Sequence, residues 1–354
     1  MMCMCSKILR MAAGWIAAAI LLSFTVRASA PLISANSAIL MDAASGRVLF
    51  EKTCDTRSLV ASTTKIMTAL LVIEDCDLQA HVSVPKEAVS IEGSSLNLRE
   101  GQVISVEELL YGLMLHSGND AASALALYHS GSIPAFAGKM NDKARDLGLN
   151  GTHFENPHGL DHENHYSTAR DLAVLTAYAL DNPVFLQIVS TKNATIDNRN
   201  YTNHNKLLWM YPDAIGVKTG YTKAAGRILV SAAQRDDRRL IAVTICDKND
   251  WQDHISMLNY GFDHYRSYIL AQSGQSMGSV SVLLGAEKAV AVVRERIILP
   301  VATGESIQIR VDLPPVVFAP VMAGDRAGSI VVLLNGVPIG EYPLFWRNCV
   351  FEEM

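Results

Sequence analysis

The chain has 354 residues, 49% of them hydrophobic and 18% charged, with a formal net charge of -5. Those values exclude a disordered chain and allow two globular domains. The acidic balance also excludes the electrostatic footprint of a nucleic-acid binder, so no nucleic-acid partner is expected. Residues 1–30 read as a secretory signal, with Lys7 and Arg10 before the apolar run Met11 to Val26 and Arg27-Ala28-Ser29-Ala30 after it. The Ala-x-Ala pattern puts cleavage after Ala30, but Pro31 would then hinder the peptidase, which leaves Ala28 and Ala35 as the other candidate sites. Retention as a membrane anchor is the competing reading, and the run of 16 residues is short for a span. Loss of residues 1–30 removes Lys7, Arg10 and Arg27 and no acid, leaving a net charge of -8. On either reading the remainder is exported, outside the cytoplasmic membrane.

Ser37 to Asp42 and Arg47 to Glu51, joined by Ala43-Ala44-Ser45-Gly46, read as a hairpin. Ala61-Ser62-Thr63-Thr64-Lys65 then opens a long apolar segment, Ile66 to Ile73. If that segment is a helix, Ser62 sits in its first turn with Lys65 on the same face, and a hydroxyl and an amine are held together. A serine needs a base to attack at neutral pH. A lysine is such a base only when burial or another cation lowers its pKa from ~10.4. The helix is apolar enough to be a core helix, and its N-terminal N–H groups favour an oxyanion above Ser62. Taken singly, Ser62 reads as a helix cap before it reads as a nucleophile. Ser83-Val84-Pro85-Lys86 repeats the spacing with no long apolar helix behind it.

Helical spacing from Ser105 to Tyr128 is interrupted by His116-Ser117-Gly118-Asn119-Asp120, where a loop would expose its side chains. Further helices are expected at Ile133 to Leu147, Thr168 to Leu180 and Trp251 to Tyr265. A strand carrying Gly216-Val217-Lys218-Thr219-Gly220 precedes a hairpin made of Arg227 to Ala233 and Arg239 to Cys246. Strands at both ends with helices between predict an α+β domain over residues 31–270, built on an antiparallel sheet. The Gly-, Ser- and Gln-rich stretch Gln272 to Ser279 reads as a linker, residues 271–279. Short Val-, Ile- and Leu-rich runs separated by turn signals such as Pro314-Pro315 and Asn335-Gly336 predict a small all-β domain at 280–343, with a short tail at 344–354. It carries no cluster of titratable residues and is assigned no chemistry. Cys3 and Cys5 precede the apolar run; Cys54, Cys76, Cys246 and Cys349 are too scattered for a disulfide framework, with one bridge allowed and none required.

Ser117-Gly118-Asn119 is uninformative alone, since Ser34-Ala35-Asn36 and Ser95-Leu96-Asn97 share its form. Ser-x-x-Lys at Ser62, Ser-x-Asn 55 positions later and Lys-Thr-Gly 101 after that form a far more specific set. It marks β-lactamases and penicillin-binding proteins, usually with Ser-Asp-Asn in the middle. With Ala61 to Thr68, Ser117 to Ala121, Phe154-Glu155-Asn156-Pro157-His158-Gly159-Leu160 and Gly216 to Gly226, the chain resembles the serine D-alanyl-D-alanine carboxypeptidases of peptidase family S11. These are low-molecular-mass penicillin-binding proteins, and the likeness is close over residues 35–265.

The resemblance implies a β-lactamase/transpeptidase-like catalytic domain followed by that family's β-rich second domain. It implies removal of the terminal D-alanine from peptidoglycan stem peptides during cell-wall maturation, inhibition by β-lactam antibiotics, and no cofactor or metal. Ser62 would attack the carbonyl between the last two D-alanines, with neutral Lys65 taking its proton. The N–H groups of Ser62 and Tyr221, beside Gly220, would form the oxyanion hole. Ser117, beside Lys65 and Lys218, would relay a proton to the departing D-alanine while Asn119 holds the substrate amide. Lys218 and Thr219 would receive the terminal carboxylate. Family members often carry an arginine where this chain has His204 and another where it has Asp247 to Asp250, so carboxylate recognition here leans on Lys218 and Thr219. They also commonly end in an amphipathic membrane helix. The twelve residues from Pro343 to Met354 give little apolar face and no basic one, so membrane association is expected only if the N-terminal segment is retained.

Three rival functions share some of these features. A class A-like β-lactamase needs a glutamate to activate the deacylating water, and Glu155 is the only acid nearby in order. A metal-dependent hydrolase would use His153, His158, His162 and His165, but no His-Glu-x-x-His pattern exists and Pro157 and Gly159 argue for a loop of solvated histidines. A non-turnover penicillin-sensing or wall-binding protein would keep Ser62 and release nothing.

Overall fold

The computed structural model describes residues 30–196 and 199–353. Apart from Ala30, the expected signal segment lies outside the described residues, as do Cys3 and Cys5. β1 (Ser37–Asp42) and β2 (Val48–Lys52) form the expected hairpin. A 3-10 turn over Ala61–Thr64 feeds α1 (Lys65–Asp75), which is buried from Lys65 through Val72. A helix apolar on every side belongs inside a core. Each buried Leu, Ile or Met there contributes about 1.5–3 kcal/mol, which makes α1 a rigid seat for the residues at its start.

A two-stranded ladder of β3 (His81–Ser83) and β4 (Val103–Ser105) leads into α2 (Val106–Leu115). α3 (Asn119–Ser130) starts after only three intervening residues, so Asn119 and Asp120, expected in a loop, occupy the first turn of a helix. α4 (Ile133–Asp146) and α5 (Ala169–Leu180) match their expected spans closely. α6 (Pro183–Ser190) was not expected, although Asn182 caps it by accepting from Val184 N at 2.9 Å and Pro183 occupies its first turn. The hairpin of β5 (Asn193–Ile196) and β6 (Arg199–Thr202) and the single-turn α7 (Leu207–Met210) precede the three long strands β7 (Ala214–Thr222), β8 (Gly226–Arg235) and β9 (Arg238–Ile245). α8 (Asp250–His264) follows them.

The main sheet is antiparallel in the order β2-β1-β9-β8-β7, with helices on both faces. Strand side chains alternate between faces. Ile39, Met41, Ile241 and Val243 join the core with α1, α2 and α5, whereas Ala38, Leu40, Leu240 and Ala242 pack under Met257, Leu258 and Phe262 of α8. The predicted α+β class follows from that layering.

The remainder is all β, as expected: β10 (Tyr265–Ala271), β11 (Ser276–Leu283), β12 (Lys288–Val292), β13 (Ile297–Ala302), β14 (Ile307–Asp312), β15 (Val316–Phe318), β16 (Arg326–Leu334) and β17 (Val337–Trp346). β10 pairs with β13, and the others form one sheet in the order β14-β16-β17-β12-β11-β15. The stretch expected as a linker is instead a tight turn at 272–275 followed by the start of β11, whose Ser276, Gly278 and Ser279 pair with Val292, Ala291 and Val290. Backbone pairing is indifferent to the polar side chains that made the stretch look flexible. The expected tail is likewise part of the fold. Leu344, Trp346 and Val350 are buried, and Val350 bridges to Val321. The four cysteines within the described residues, Cys54, Cys76, Cys246 and Cys349, are all free thiols.

Candidate active site

Ser62 lies in the 3-10 turn that enters α1, where Ala61 adopts φ +45° and Thr63 Oγ1 donates to Val60 O at 2.6 Å. A non-glycine residue in the left-handed region is strained, and the surrounding contacts must hold it there. One such contact is with Gly159, whose φ is +87°. A Cβ on Gly159 would fall 1.8 Å from Ala61 O and 2.9 Å from Thr64 Oγ1. Gly159→Ala is therefore expected to displace the turn, lowering stability by about 2–5 kcal/mol from left-handed strain and overpacking together. Penicillin acylation should slow at least tenfold. Gly46→Ala, at φ +68° with nothing within 4 Å of its Cβ, carries the strain alone and serves as control. Thermal melts and acylation rates of the two variants check this; equal rates in both would refute the packing argument.

Lys65 is completely buried. Its Nζ donates to Ser62 Oγ at 2.9 Å, to Asn119 Oδ1 at 2.7 Å and to the His158 carbonyl at 2.7 Å. Burial drives its pKa well below the ordinary lysine value, Lys218 pushes it further down, and Asp120 opposes both. Lys218 is also buried, with Nζ donating to Thr219 O at 2.9 Å, and burial brings its pKa to about 7. The pair thus has the two features a lysine base requires, a dry site and a second cation.

Asn119 is fixed at three points: its backbone N–H donates to Ser94 O, Nδ2 donates to Glu92 O at 2.5 Å, and Oδ1 accepts from Lys65. Asp120 beside it is buried and accepts from Ser95 Oγ at 2.6 Å, Leu96 N at 2.9 Å and Leu98 N at 3.1 Å. It pins the segment before α2 against the start of α3, where the helix dipole favours a carboxylate. Ser117, at φ +65°, is buried, and its Oγ makes no hydrogen bond within the described residues, to Lys65 and Lys218 included. Gly220 lets edge strand β7 run close to the 3-10 turn: a Cβ there would lie 3.2 Å from Ser62 N. That approach brings the backbone of Gly220 close to the Ser62 amide.

Ser62, Ser117, Thr219, Gly220 and Tyr221 line one cavity of about 670 Å³. Lys65, Asn119 and Lys218 lie behind its wall. All eight residues singled out in the sequence are brought together, and the cavity wall adds His204, Lys206, Arg227, Asp250 and Trp251, which carried no motif. Of these, His204 and Asp250 stand out in the sequence only as departures from a family pattern.

The loop histidines differ from expectation. His162 is exposed, but His165 is buried: its Nδ1 accepts from Glu155 N at 3.1 Å, so Nε2–H donates to Thr64 Oγ1 at 2.8 Å. Burial lowers the pKa of His165 to about 4 and that of His158 to about 3, so both are neutral; the His165 ring braces the Ser62 turn through Thr64, whereas the His158 ring accepts from Leu160 N at 3.2 Å and only its backbone carbonyl reaches Lys65. Among the described residues, no group of three or more His, Cys, Asp or Glu side chains could hold a metal ion. Glu155, the β-lactamase alternative's candidate acid, faces His153 at 3.6 Å and is not part of the cavity wall.

The family described as D-alanyl-D-alanine carboxypeptidase matches residues 24–249, and that described as the C-terminal domain of penicillin-binding protein 5 matches residues 265–351. The D-alanyl-D-alanine carboxypeptidase DacF of Bacillus subtilis is 33% identical over 327 residues, 88% of this chain and 84% of that protein. DacC of Escherichia coli is 35% identical, over 91% of this chain and 86% of its own length. The crystal structure of penicillin-binding protein 5 from Haemophilus influenzae superposes with a TM-score of 0.83 at 30% identity, covering 92% of this chain and 99% of that one. The chain belongs to the D-alanyl-D-alanine carboxypeptidase family.

Proposed function

We propose that this carboxypeptidase cleaves the bond before the last D-alanine of a peptidoglycan stem peptide through an acyl-enzyme on Ser62. The observation that carries the reading is the 2.9 Å contact between Ser62 Oγ and the fully buried Nζ of Lys65. Neutral Lys65 takes the hydroxyl proton as Oγ bonds to the carbonyl carbon. The resulting oxyanion is received by the N–H groups of Ser62 and Tyr221. The C–N bond then breaks as the proton taken up by Lys65 is passed through Ser117 to the departing amine, which leaves Lys65 neutral again. Asn119 holds the substrate amide, and Lys218 and Thr219 receive the terminal carboxylate. Water attacks the ester, returns a proton to Ser62 and frees the shortened peptide. β-Lactams enter the same sequence and stop at the acyl-enzyme.

Two measurements test this. Intact mass after incubation with a labelled penicillin should show one adduct, and a peptide ending in D-Ala-D-Ala should yield free D-alanine. An adduct without D-alanine would favour a penicillin sensor, and rapid penicillin turnover a β-lactamase. The protein acts outside the cytoplasmic membrane in this reading, with the layers through α8 (Asp250–His264) catalytic and the β-rich part following from β10 (Tyr265–Ala271). Among the described residues no single helix is long and apolar enough to cross a membrane; fractionation with N-terminal sequencing reads out whether Met11 to Val26 is retained.

A further inference from the structure

Recognition of the substrate's terminal carboxylate by Lys218 and Thr219 leaves the subsite short of a permanent charge. Lys218 is buried, its Nζ is engaged by Thr219 O at 2.9 Å, and a pKa of about 7 leaves it only partly protonated at neutral pH. A permanent cation stands on the neighbouring strand. In the β7–β8 register Arg227 faces Tyr221 and Leu229 faces Thr219. Side chains two apart share a sheet face, so Arg227 emerges on the face that carries Thr219 and Tyr221. Diagonal neighbours across such a pair lie about 7–8 Å apart, within the reach of an arginine.

Arg227 is held in place from behind. Asp250, in the first turn of α8 and 4% exposed, accepts from Arg227 Nε at 3.0 Å and from Nη2 at 2.6 Å and 2.8 Å. Asp250 is fixed in turn by the Trp251 N–H at 2.9 Å, and the Trp251 ring lies 5.9 Å from the guanidinium carbon. Nη1 makes no hydrogen bond within the described residues, and Arg227 and Asp250 both line the Ser62 cavity. A guanidinium gripped along one edge presents its other N–H groups in a set direction, and a planar carboxylate matches them well.

We propose that Arg227, positioned by Asp250, binds the free C-terminal carboxylate of the substrate and sets the preference of this site for peptides that end there. The proposal rests on the reading of the Ser62 cavity as the D-Ala-D-Ala site. Its test is a binding measurement that needs no turnover. In Ser62→Ala protein, NMR titration compares an N-acyl-D-Ala-D-Ala peptide with the same peptide bearing a C-terminal amide. The carboxylate should bind at least tenfold more tightly. Adding Arg227→Gln should cut that preference at least fivefold and leave affinity for the amide within twofold, while Arg227→Lys should keep part of it. An unchanged preference overturns the proposal. So does a parallel loss for both peptides, in both variants, which would make Arg227 merely structural. D-alanine release by the unmutated enzyme reports separately on the catalytic reading.

Discussion

Ser62→Ala is expected to abolish labelled-penicillin incorporation and to lower D-alanine release by at least about 10⁴-fold, the scale on which loss of a nucleophile acting with its base is felt. Ser83→Ala should leave both within about twofold. The two serines share the Ser-x-x-Lys spacing, and their settings explain the contrast. Ser83 ends the short strand β3 and is exposed, as is Lys86 in a 3-10 turn. Neither side chain makes a hydrogen bond within the described residues, so no amine is held against the Ser83 hydroxyl to take its proton. Lys65 is fully buried, and its Nζ lies 2.9 Å from Ser62 Oγ. Thermal melts of both variants should stay close to the parent, because Ser62 fills no core position. Adduct formation surviving in Ser62→Ala, or lost in Ser83→Ala, would move the nucleophile elsewhere.

What the sequence displayed and what it hid divide along a physical line. α4, α5 and α8 carry apolar periodicity, α1 carries a continuous apolar run, and the β7–β8–β9 meander is bounded by clear turns, so these elements are legible from the local pattern alone. β13 and the start of β11 are not. β13 carries Pro300 within the strand, and β11 begins with Ser276, Gly278 and Ser279; in both, pairing comes from partners elsewhere in the chain. The site divides in the same way. Ser62, Lys65, Ser117, Asn119 and Lys218 stand at fixed spacings because short segments carry them. Asp120 acts on a loop more than twenty residues earlier in the chain, and Asp250 acts on Arg227 across 23 positions. Such partnerships exist only once the sheet and helices have assembled, and no local pattern announces them.

Lys65→Arg, a change that conserves charge, is expected to cost nearly as much acylation as Lys65→Ala. In the parent, Nζ is surrounded by Ser62 Oγ at 2.9 Å, Asn119 Oδ1 at 2.7 Å and the His158 carbonyl at 2.7 Å, three partners for the three donors of an ammonium. Loss of one proton turns one of these contacts around, so that Ser62 O–H donates to the amine. Burial and the neighbouring Lys218 both favour that loss, since each disfavours the charged form. Guanidinium stays protonated in proteins, so arginine keeps the electrostatics and removes the base. The pH profile carries the sign. With the parent, the penicillin acylation rate should climb as pH rises through the depressed pKa of Lys65, because only the neutral amine accepts the serine proton. With Lys65→Arg that limb should disappear, leaving a low rate that Lys65 no longer governs. Acylation rates from pH 5 to 9, with thermal melts to verify folding, decide the matter. An arginine variant that keeps more than about a tenth of the parent rate, a loss below ~1.4 kcal/mol of barrier, would mean that Lys65 acts by its charge and that some other group takes the proton from Ser62.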